Sequence, residues 1–218
     1  MNITGLHINV ADLDRSIEFY RDMLGLPLIE QPPDRVQIQI GWSVLTLIES
    51  ETPLPSIYHF AFNIPENQLD AAQHWLSTRS PLIPDASEQR VFHSDSWNSD
   101  QVYFLDPDGN ILELIARHTL PETRSDAPFS AASLLCISEI GVAAASVDER
   151  VSQFKRDYNL DVYISRGEQF APVGDENGLL ITVKEGRLWF PDQTQPARFL
   201  PLVIDIIDGR GVGQVLRF

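Results

Sequence analysis

The sequence predicts an α+β fold made of tandem βαβββ modules, and three observations support this class. A strand with alternating apolar residues spans residues 6–10 and precedes a helix whose apolar residues recur at helical spacing. The same order returns at residue 58, and a shift of 52 positions (59 − 7) places His7 on His59 without a gap. A third, weaker copy begins near residue 134. Repetition of one supersecondary unit predicts modules that pair to share a core.

The first two modules show the expected start and stop signals. Asp12 and Asp14 are suited to cap the first helix, and Gly25 is suited to end it. Asn67 caps the second helix in the same way. Strands of the first module are predicted at residues 6–10, 28–29, 36–40 and 43–48. Strands of the second module are predicted at residues 58–62, 91–92, 101–105 and 111–116.

The rest of the chain predicts a linker and a degenerate module. Residues 119–133 contain two prolines and three serines, a composition typical of a connection. We therefore expect residues 1–50 and 56–118 to form paired modules within one unit over 1–118. Residues 134–218 are expected to form a third, degenerate βαβββ module and a C-terminal tail.

Composition and charge exclude several classes of function. The chain has 218 residues with 16 basic and 31 acidic side chains, which gives a net charge of −15. Such a polyanion repels nucleic acids and anionic membrane surfaces. No apolar run approaches the roughly 18 residues of a membrane span, and the N-terminus shows no signal peptide, so we expect a cytoplasmic protein. Cys136 is the only cysteine, which excludes an internal disulfide and a cysteine zinc cluster.

Three polar side chains occupy the strand face that points away from the helices. Alternation places Leu6 and Ile8 under the first helix, so His7 faces the other way. The same argument puts His59 and Glu113 on the concave side of their sheet. Two neutral imidazoles and one carboxylate form a triad that suits Fe(II), Mn, Ni or Zn and leaves coordination positions open. The sequence therefore predicts a metal site at His7, His59 and Glu113.

A predicted hairpin adds a tyrosine to this cleft. Asp106-Pro-Asp-Gly-Asn110 fits a three-residue loop with glycine in the left-handed position. Pairing Asp106 with Asn110 then places Tyr103 opposite Glu113, and directly opposed residues share a face. The phenol of Tyr103 is thus expected to donate a hydrogen bond in the cleft. His93, before a polar loop at residues 94–98, is a candidate acid-base group near the same cleft.

The motifs together resemble the vicinal oxygen chelate superfamily. They are GLHINV at residues 5–10, FYRDMLGL at 19–26 and YFLDPDGNILEL at 103–114. This superfamily includes glyoxalase I, fosfomycin-resistance enzymes, bleomycin-binding proteins and type I extradiol dioxygenases. The resemblance implies that two βαβββ modules pair and that their curved mixed sheets form a metal-binding cleft. It also implies that ligands come from the positions of His7, His59 and Glu113.

Internal alignment favours one branch of this superfamily. Anchoring on Gly41 and Gly109 places Leu45 in the slot of Glu113, where enzymes of the glyoxalase I type usually have a fourth ligand. In the third copy, Gly141 occupies the histidine slot and Thr182 the glutamate slot, so this copy should bind no metal.

The remaining set resembles the extradiol dioxygenases, which implies a ring-cleaving oxidoreductase that binds a catechol-type diol at Fe(II). Tyr103 would hydrogen-bond a substrate oxygen and His93 would move a proton.

Two other kinds of function remain open. One is a different metal-dependent reaction, by a glyoxalase-like isomerase or a thiol transferase. The other is a non-catalytic protein that binds a small molecule such as a drug. The expected partners are a small-molecule substrate and a second copy of the chain in a homodimer. The third module alone leaves a concave face uncovered, so we expect it to close on that second copy, or else to cap the first pair of modules.

Overall fold

Two sheets and three α-helices form the molecule. The structure is a computed structural model that describes residues 1–218. The strands are β1 Asn2–Val10, β2 Leu28–Glu30, β3 Arg35–Ile40, β4 Ser43–Glu49, β5 His59–Ile64, β6 Phe92–Ser94, β7 Ser99–Leu105, β8 Ile111–Arg117, β9 Cys136–Ala144, β10 Phe170–Asp175, β11 Gly178–Lys184, β12 Leu202–Ile207 and β13 Gly213–Arg217. The helices are α1 Leu13–Ile17, extended by a π-helical segment Glu18–Met23, then α2 Leu69–Ser77 and α3 Val147–Tyr158. Short 3-10 helices cover Pro121–Thr123 and Ala131–Ser133.

The modular α+β class is confirmed by the strand order. The six-stranded sheet has the order β13-β12-β1-β4-β3-β2, and the seven-stranded sheet has the order β10-β11-β9-β5-β8-β7-β6. In each module the first strand runs parallel to the last one, as β1 with β4, β5 with β8 and β9 with β11. The third module is a βαββ unit, and a single bridge between Val162 and Val173 stands where the others have a further strand.

The modules pair differently from the sequence-based expectation. The first and second modules were expected to pair with each other within residues 1–118. Instead, β5 of the second module pairs antiparallel with β9 of the third, and β1 pairs antiparallel with β12. The expected pairing is wrong. Alternation of apolar and polar residues determines which face of a strand is buried, but it does not determine which strand lies beside it.

One main core joins the helix-facing sides of both sheets. Leu6 and Ile8 of β1 are buried as predicted, and so are Phe60 and Phe62 of β5, whose rings meet edge to face at 5.5 Å. A smaller apolar cluster lies on the opposite, concave face of the seven-stranded sheet and includes Tyr103 and Trp189. The concave face of this sheet is therefore covered, and it encloses the site described below.

The structure removes the physical reason given for a homodimer. The third module was expected to leave a concave face uncovered. Its strand β9 instead joins β5 in the seven-stranded sheet, and the apolar cluster with Tyr103 and Trp189 packs on the concave face of that sheet. Homodimerisation therefore stays a prediction without structural support from this sheet. All helices are too short or too polar to cross a lipid bilayer.

The hairpin before β8 has the predicted geometry. The Asp106 amide donates to the Asn110 carbonyl at 3.1 Å, and Gly109 has a φ of +80°, the left-handed conformation that glycine adopts without strain. The Asp106 carboxylate also accepts from the Asn110 amide and from the Tyr20 hydroxyl at 2.8 Å. This turn sets the register in which Tyr103 lies opposite Glu113, as the sequence predicted.

Candidate metal centre

Three strands bring one histidine and two glutamates together. Ala61 of β5 pairs with Glu113 of β8 on one side and with Glu139 of β9 on the other. His59 lies two residues before Ala61 and therefore on the same face. The small alanine side chain leaves room above it, and one ligand atom from each of the three side chains lies within 4.8 Å of the others.

The His59 ring is held in one tautomer. Its Nδ1 lies 3.1 Å from the Ile111 carbonyl, which can only accept, so Nδ1 carries the proton and Nε2 presents a lone pair. Nε2 is 3.7 Å from Oε2 of Glu113, too far for a good hydrogen bond. Burial lowers the pKa of His59 to about 4, so the imidazole is neutral near pH 7. A backbone carbonyl that orients a neutral imidazole is a common arrangement behind a metal ligand.

The two glutamates are buried beside each other. Burial, followed by the charge of Glu139, raises the pKa of Glu113 well above its ordinary value. The Tyr103 hydroxyl donates to Oε1 of Glu113 at 3.0 Å. Burial also raises the pKa of Glu139, which the adjacent Arg117 guanidinium opposes. The Arg117 guanidinium thus neutralises the charge of one of these two carboxylates. Ionising the second carboxylate as well would bury an unpaired negative charge, which is energetically costly.

This donor set fits a divalent cation. Nitrogen and carboxylate oxygen ligands suit Fe(II), Mn and Zn. A cation between Glu113 and Glu139 would relieve their repulsion and their cost of burial. The lone pair of His59 Nε2 has no protein hydrogen at hydrogen-bond distance, so it is available to a ligand.

Arg117 supports the site from behind. Its side chain is only 1% exposed, and Nη2 donates to Oε1 of Glu139 in a very short ion pair. Its Nε donates to Oδ1 of Asn63 at 3.1 Å, and the guanidinium lies 5.6 Å from the centre of the Trp97 ring. Nη1 has no hydrogen-bond partner.

His7 does not join this group, and the predicted trio of His7, His59 and Glu113 is corrected. His7 lies on β1 of the six-stranded sheet opposite Val203, whereas the other two lie on the seven-stranded sheet. Its Nε2 is 2.9 Å from Oδ2 of Asp205, and its side chain is 28% exposed. The sequence placed His7 on the correct face of its strand, but β1 and β5 belong to different sheets.

Glu139 takes the third position and was missed by the sequence analysis. A signal was present, because strand alternation that puts Ile140 and Val142 in the core puts Glu139 on the cleft face with Gly141. An acid within the apolar segment Cys136–Ala144 is unusual unless it has a partner. The partner, Arg117, lies 22 residues away in sequence.

Two predicted equivalences with Glu113, at Leu45 and at Thr182, are also wrong. Leu45 and Leu47 are fully buried in the main core, so Leu45 lies on the helix side of β4 and not in the position equivalent to Glu113. Thr182 lies on the helix side of β11, since its neighbour Ile181 belongs to the concave cluster. Two- and three-residue hairpin loops differ in register by one residue, which reverses the face.

The three ligand-type side chains open into a cavity of about 470 Å³. Its walls are rich in aromatic residues, with Trp189 packed against His59 at 5.1 Å between ring centres and Phe190 packed against Tyr103 at 5.3 Å. The remaining aromatic lining residues are Phe92, Trp97 and Phe170. A cavity of this size and lining accommodates a small planar ligand.

Tyr103 and His93 both line this cavity, at different depths. Tyr103 is buried, and burial followed by the charge of Glu113 raises its pKa well above the ordinary value, so it remains a neutral phenol. His93 is more than half exposed, with Nδ1 2.7 Å from Asp100 and Nε2 3.1 Å from Asp95. The hydrogen bond that His93 donates to Asp100, followed by the one it donates to Asp95, raises the pKa of His93.

A known protein family matches the first half of the chain. Residues 2–114 match the model of the glyoxalase/bleomycin resistance protein/dioxygenase superfamily. The chain belongs to that superfamily. The matched segment includes His59 and Glu113 but ends before Glu139. The third ligand-type residue of the site therefore lies outside the matched segment.

Curated relatives of this superfamily differ in activity. The metallothiol transferase FosB of Staphylococcus haemolyticus is 30% identical over 118 residues, which are 51% of this chain and 81% of that protein. The catechol-2,3-dioxygenase of Bacillus subtilis is 27% identical over 119 residues, which are 50% of this chain and 39% of that protein. The relatives thus support a metal-dependent superfamily without selecting one reaction.

Solved structures match the whole chain at low sequence identity. A putative dioxygenase from Bacillus subtilis has a TM-score of 0.64 at 12% identity and covers 100% of this chain and 84% of its own. A glyoxalase I variant from Zea mays has a TM-score of 0.57 at 14% identity and covers 99% and 93%, respectively. These two likenesses show the fold.

Proposed function

We propose that the protein is a metal-dependent ring-cleaving dioxygenase that acts on a catechol-type small molecule. The observation that carries the proposal is the convergence of His59, Glu113 and Glu139 in an aromatic-lined cavity. This set replaces the predicted 2-His-1-carboxylate site by one imidazole and two carboxylates. Fe(II) is the favoured ion, with Mn and Zn as alternatives, because the donors are nitrogen and oxygen.

Each side chain near the ion has a distinct task in this proposal. A bound divalent ion supplies Lewis-acid and redox chemistry to a diol that chelates it. His59 and Glu113 are oriented by the Ile111 carbonyl and the Tyr103 hydroxyl, respectively. Tyr103 therefore acts first as a positioning residue for Glu113, and it reaches a substrate oxygen only if that hydrogen bond is exchanged.

The cavity walls and rim contribute binding and proton transfer. Trp189 packs against His59 at 5.1 Å, and the other aromatic side chains of the lining supply apolar surface for a ring. His93 lies at the exposed rim, where its hydrogen bond to Asp100 favours the protonated form. His93 is thus placed to exchange a proton with solvent during a reaction in the cavity.

A thiol transferase is the second candidate function. It is favoured by the match to the metallothiol transferase FosB at 30% identity. The aromatic lining favours the dioxygenase, because a flat ring gains more from stacking than an aliphatic thiol does.

Metal analysis followed by an oxygen-dependent assay tests the proposal. Wild-type protein purified without chelators should contain about one divalent ion per chain. His59→Ala should lose it, while the matched control His7→Ala, on the other sheet, should keep it. After anaerobic loading with Fe(II), a panel of catechols under oxygen should give a yellow ring-cleavage product. Metal retention by His59→Ala contradicts the site, and bound metal without colour but with transfer of a thiol supports the second candidate.

A further inference from the structure

Arg187 is a cavity-wall cation without an acidic partner. It follows β11, and its backbone is held by hydrogen bonds with Lys184 and Ala197. Its side chain is half-buried and its guanidinium lies 5.2 Å from the centre of the Phe170 ring. The side chain's hydrogen bond is a long one of 3.4 Å, from Nη1 to the Leu188 carbonyl. Most of its donors are therefore directed to the cavity or to solvent.

The acids that line the same cavity are already engaged elsewhere. Asp85 accepts from Ser87 and from the Gln89 amide, at 2.8 and 3.0 Å. Glu113 and Glu139 accept from Tyr103 and Arg117, respectively. None of these carboxylates is within 4.0 Å of the Arg187 guanidinium, and burial alone lowers the pKa of Arg187. A half-buried guanidinium that no protein carboxylate engages is available to pair with an anionic ligand in the cavity.

Arg187 and the metal-binding group face one cavity. Arg187 and His59 both line the cavity of about 470 Å³. Trp189 and Phe190 lie two and three residues after Arg187 in the chain and line the same cavity. A planar ligand lying between these aromatic surfaces would present one edge to His59 and another edge to Arg187.

We propose that Arg187 determines substrate specificity by binding a carboxylate on the aromatic substrate. Guanidinium groups bind carboxylates through two parallel hydrogen bonds, and the Phe170 ring packs against this guanidinium at 5.2 Å. The substrate class is therefore an aromatic acid, and the diol on its ring follows only if the proposed dioxygenase function is correct. A tetrahedral anion such as a phosphonate fits the planar fork less well.

Binding to metal-free protein tests the carboxylate site separately from catalysis. With EDTA present, quenching of tryptophan fluorescence should report benzoate binding about tenfold to a hundredfold tighter than benzamide binding, the range for hydrogen bonds between charged groups. Arg187→Met should remove this preference and Arg187→Lys should keep part of it. The control Arg166→Met lies away from the cavity, against Asp148, and should leave the preference unchanged. Equal affinities of wild-type protein for benzoate and benzamide, or tighter binding of phenylphosphonate than of benzoate, overturn the proposal.

Turnover by the Fe(II)-loaded protein separates the two ideas. Dihydroxybenzoates should have a KM about tenfold to a hundredfold below that of catechol, and Arg187→Met should raise KM only for the carboxylated substrates. If benzoate is preferred but no diol is cleaved, the carboxylate site stands and the dioxygenase proposal fails. If catechol and dihydroxybenzoates are cleaved with equal KM, the dioxygenase stands and the role of Arg187 is refuted.

Discussion

Arg117 pairs with Glu139 and its charge also acts on Glu113, which predicts a strong coupling between substitutions of the two glutamates. In metal-free protein, Arg117 needs one carboxylate charge, and either glutamate can supply it after the other is replaced by glutamine. Each single variant, Glu113→Gln or Glu139→Gln, should therefore cost only about 1 kcal/mol of unfolding free energy, near the net value of one hydrogen bond. The double variant leaves the guanidinium, 1% exposed, without a counter-ion and should cost about 3–5 kcal/mol.

Urea unfolding at pH 7 with EDTA measures this coupling. The double variant should exceed the sum of the single variants by about 1–3 kcal/mol, the range for residues in one charged network. Adding Arg117→Met to the double variant removes the uncompensated charge and should restore most of the loss. Additive single effects, or no recovery on adding Arg117→Met, would refute the picture of a shared cation.

Three further predictions follow from the same region. Gly141→Ala places a Cβ about 2.6 Å from the Trp189 ring. The substitution should therefore lower the unfolding free energy by about 1–3 kcal/mol and change tryptophan emission, because Trp189 must move away from His59. Unchanged emission and unchanged stability would contradict this. Because the pKa of Glu113 is raised, this carboxyl holds a proton in metal-free protein below that pKa. Metal binding should therefore release protons and become weaker as the pH falls. Calorimetry in buffers of different ionisation enthalpy measures this release, and binding heats that do not depend on the buffer would argue against it. Burial raises the pKa of Cys136 to about 12, so native protein should not react with a disulfide reagent at pH 8, while urea-unfolded protein should react with one equivalent.

The sequence predicts local geometry in this protein better than it predicts the pairing of strands. The hairpin of Asp106 and Gly109 carries its own turn chemistry, and it places Tyr103 opposite Glu113 in the predicted register. Alternation likewise gives the correct face for His59 and for His7. These features depend on interactions between residues close in sequence, which the pattern of side chains determines.

The composition of the site depends on a choice that local patterns do not encode. Both β1 and β9 are apolar strands with a polar residue on the open face, and either could in principle lie beside β5. The structure places β9 there, so Glu139 joins His59 and His7 does not. The acid was recognisable as an unusual residue in an apolar strand, but its buried partner Arg117 lies on β8 and is found only from the fold.

The pairing of β1 with β12 has a consequence for how the chain is made. His7 and Asp205 are 198 residues apart in sequence yet adjacent in the six-stranded sheet. The strands β5 and β9 pair across a much shorter stretch of chain. During translation, the seven-stranded sheet can close while β1 still lacks its neighbour on one side. An open strand edge on a nascent chain favours wrong associations, so the ribosome-bound protein should depend on chaperones until β12 emerges.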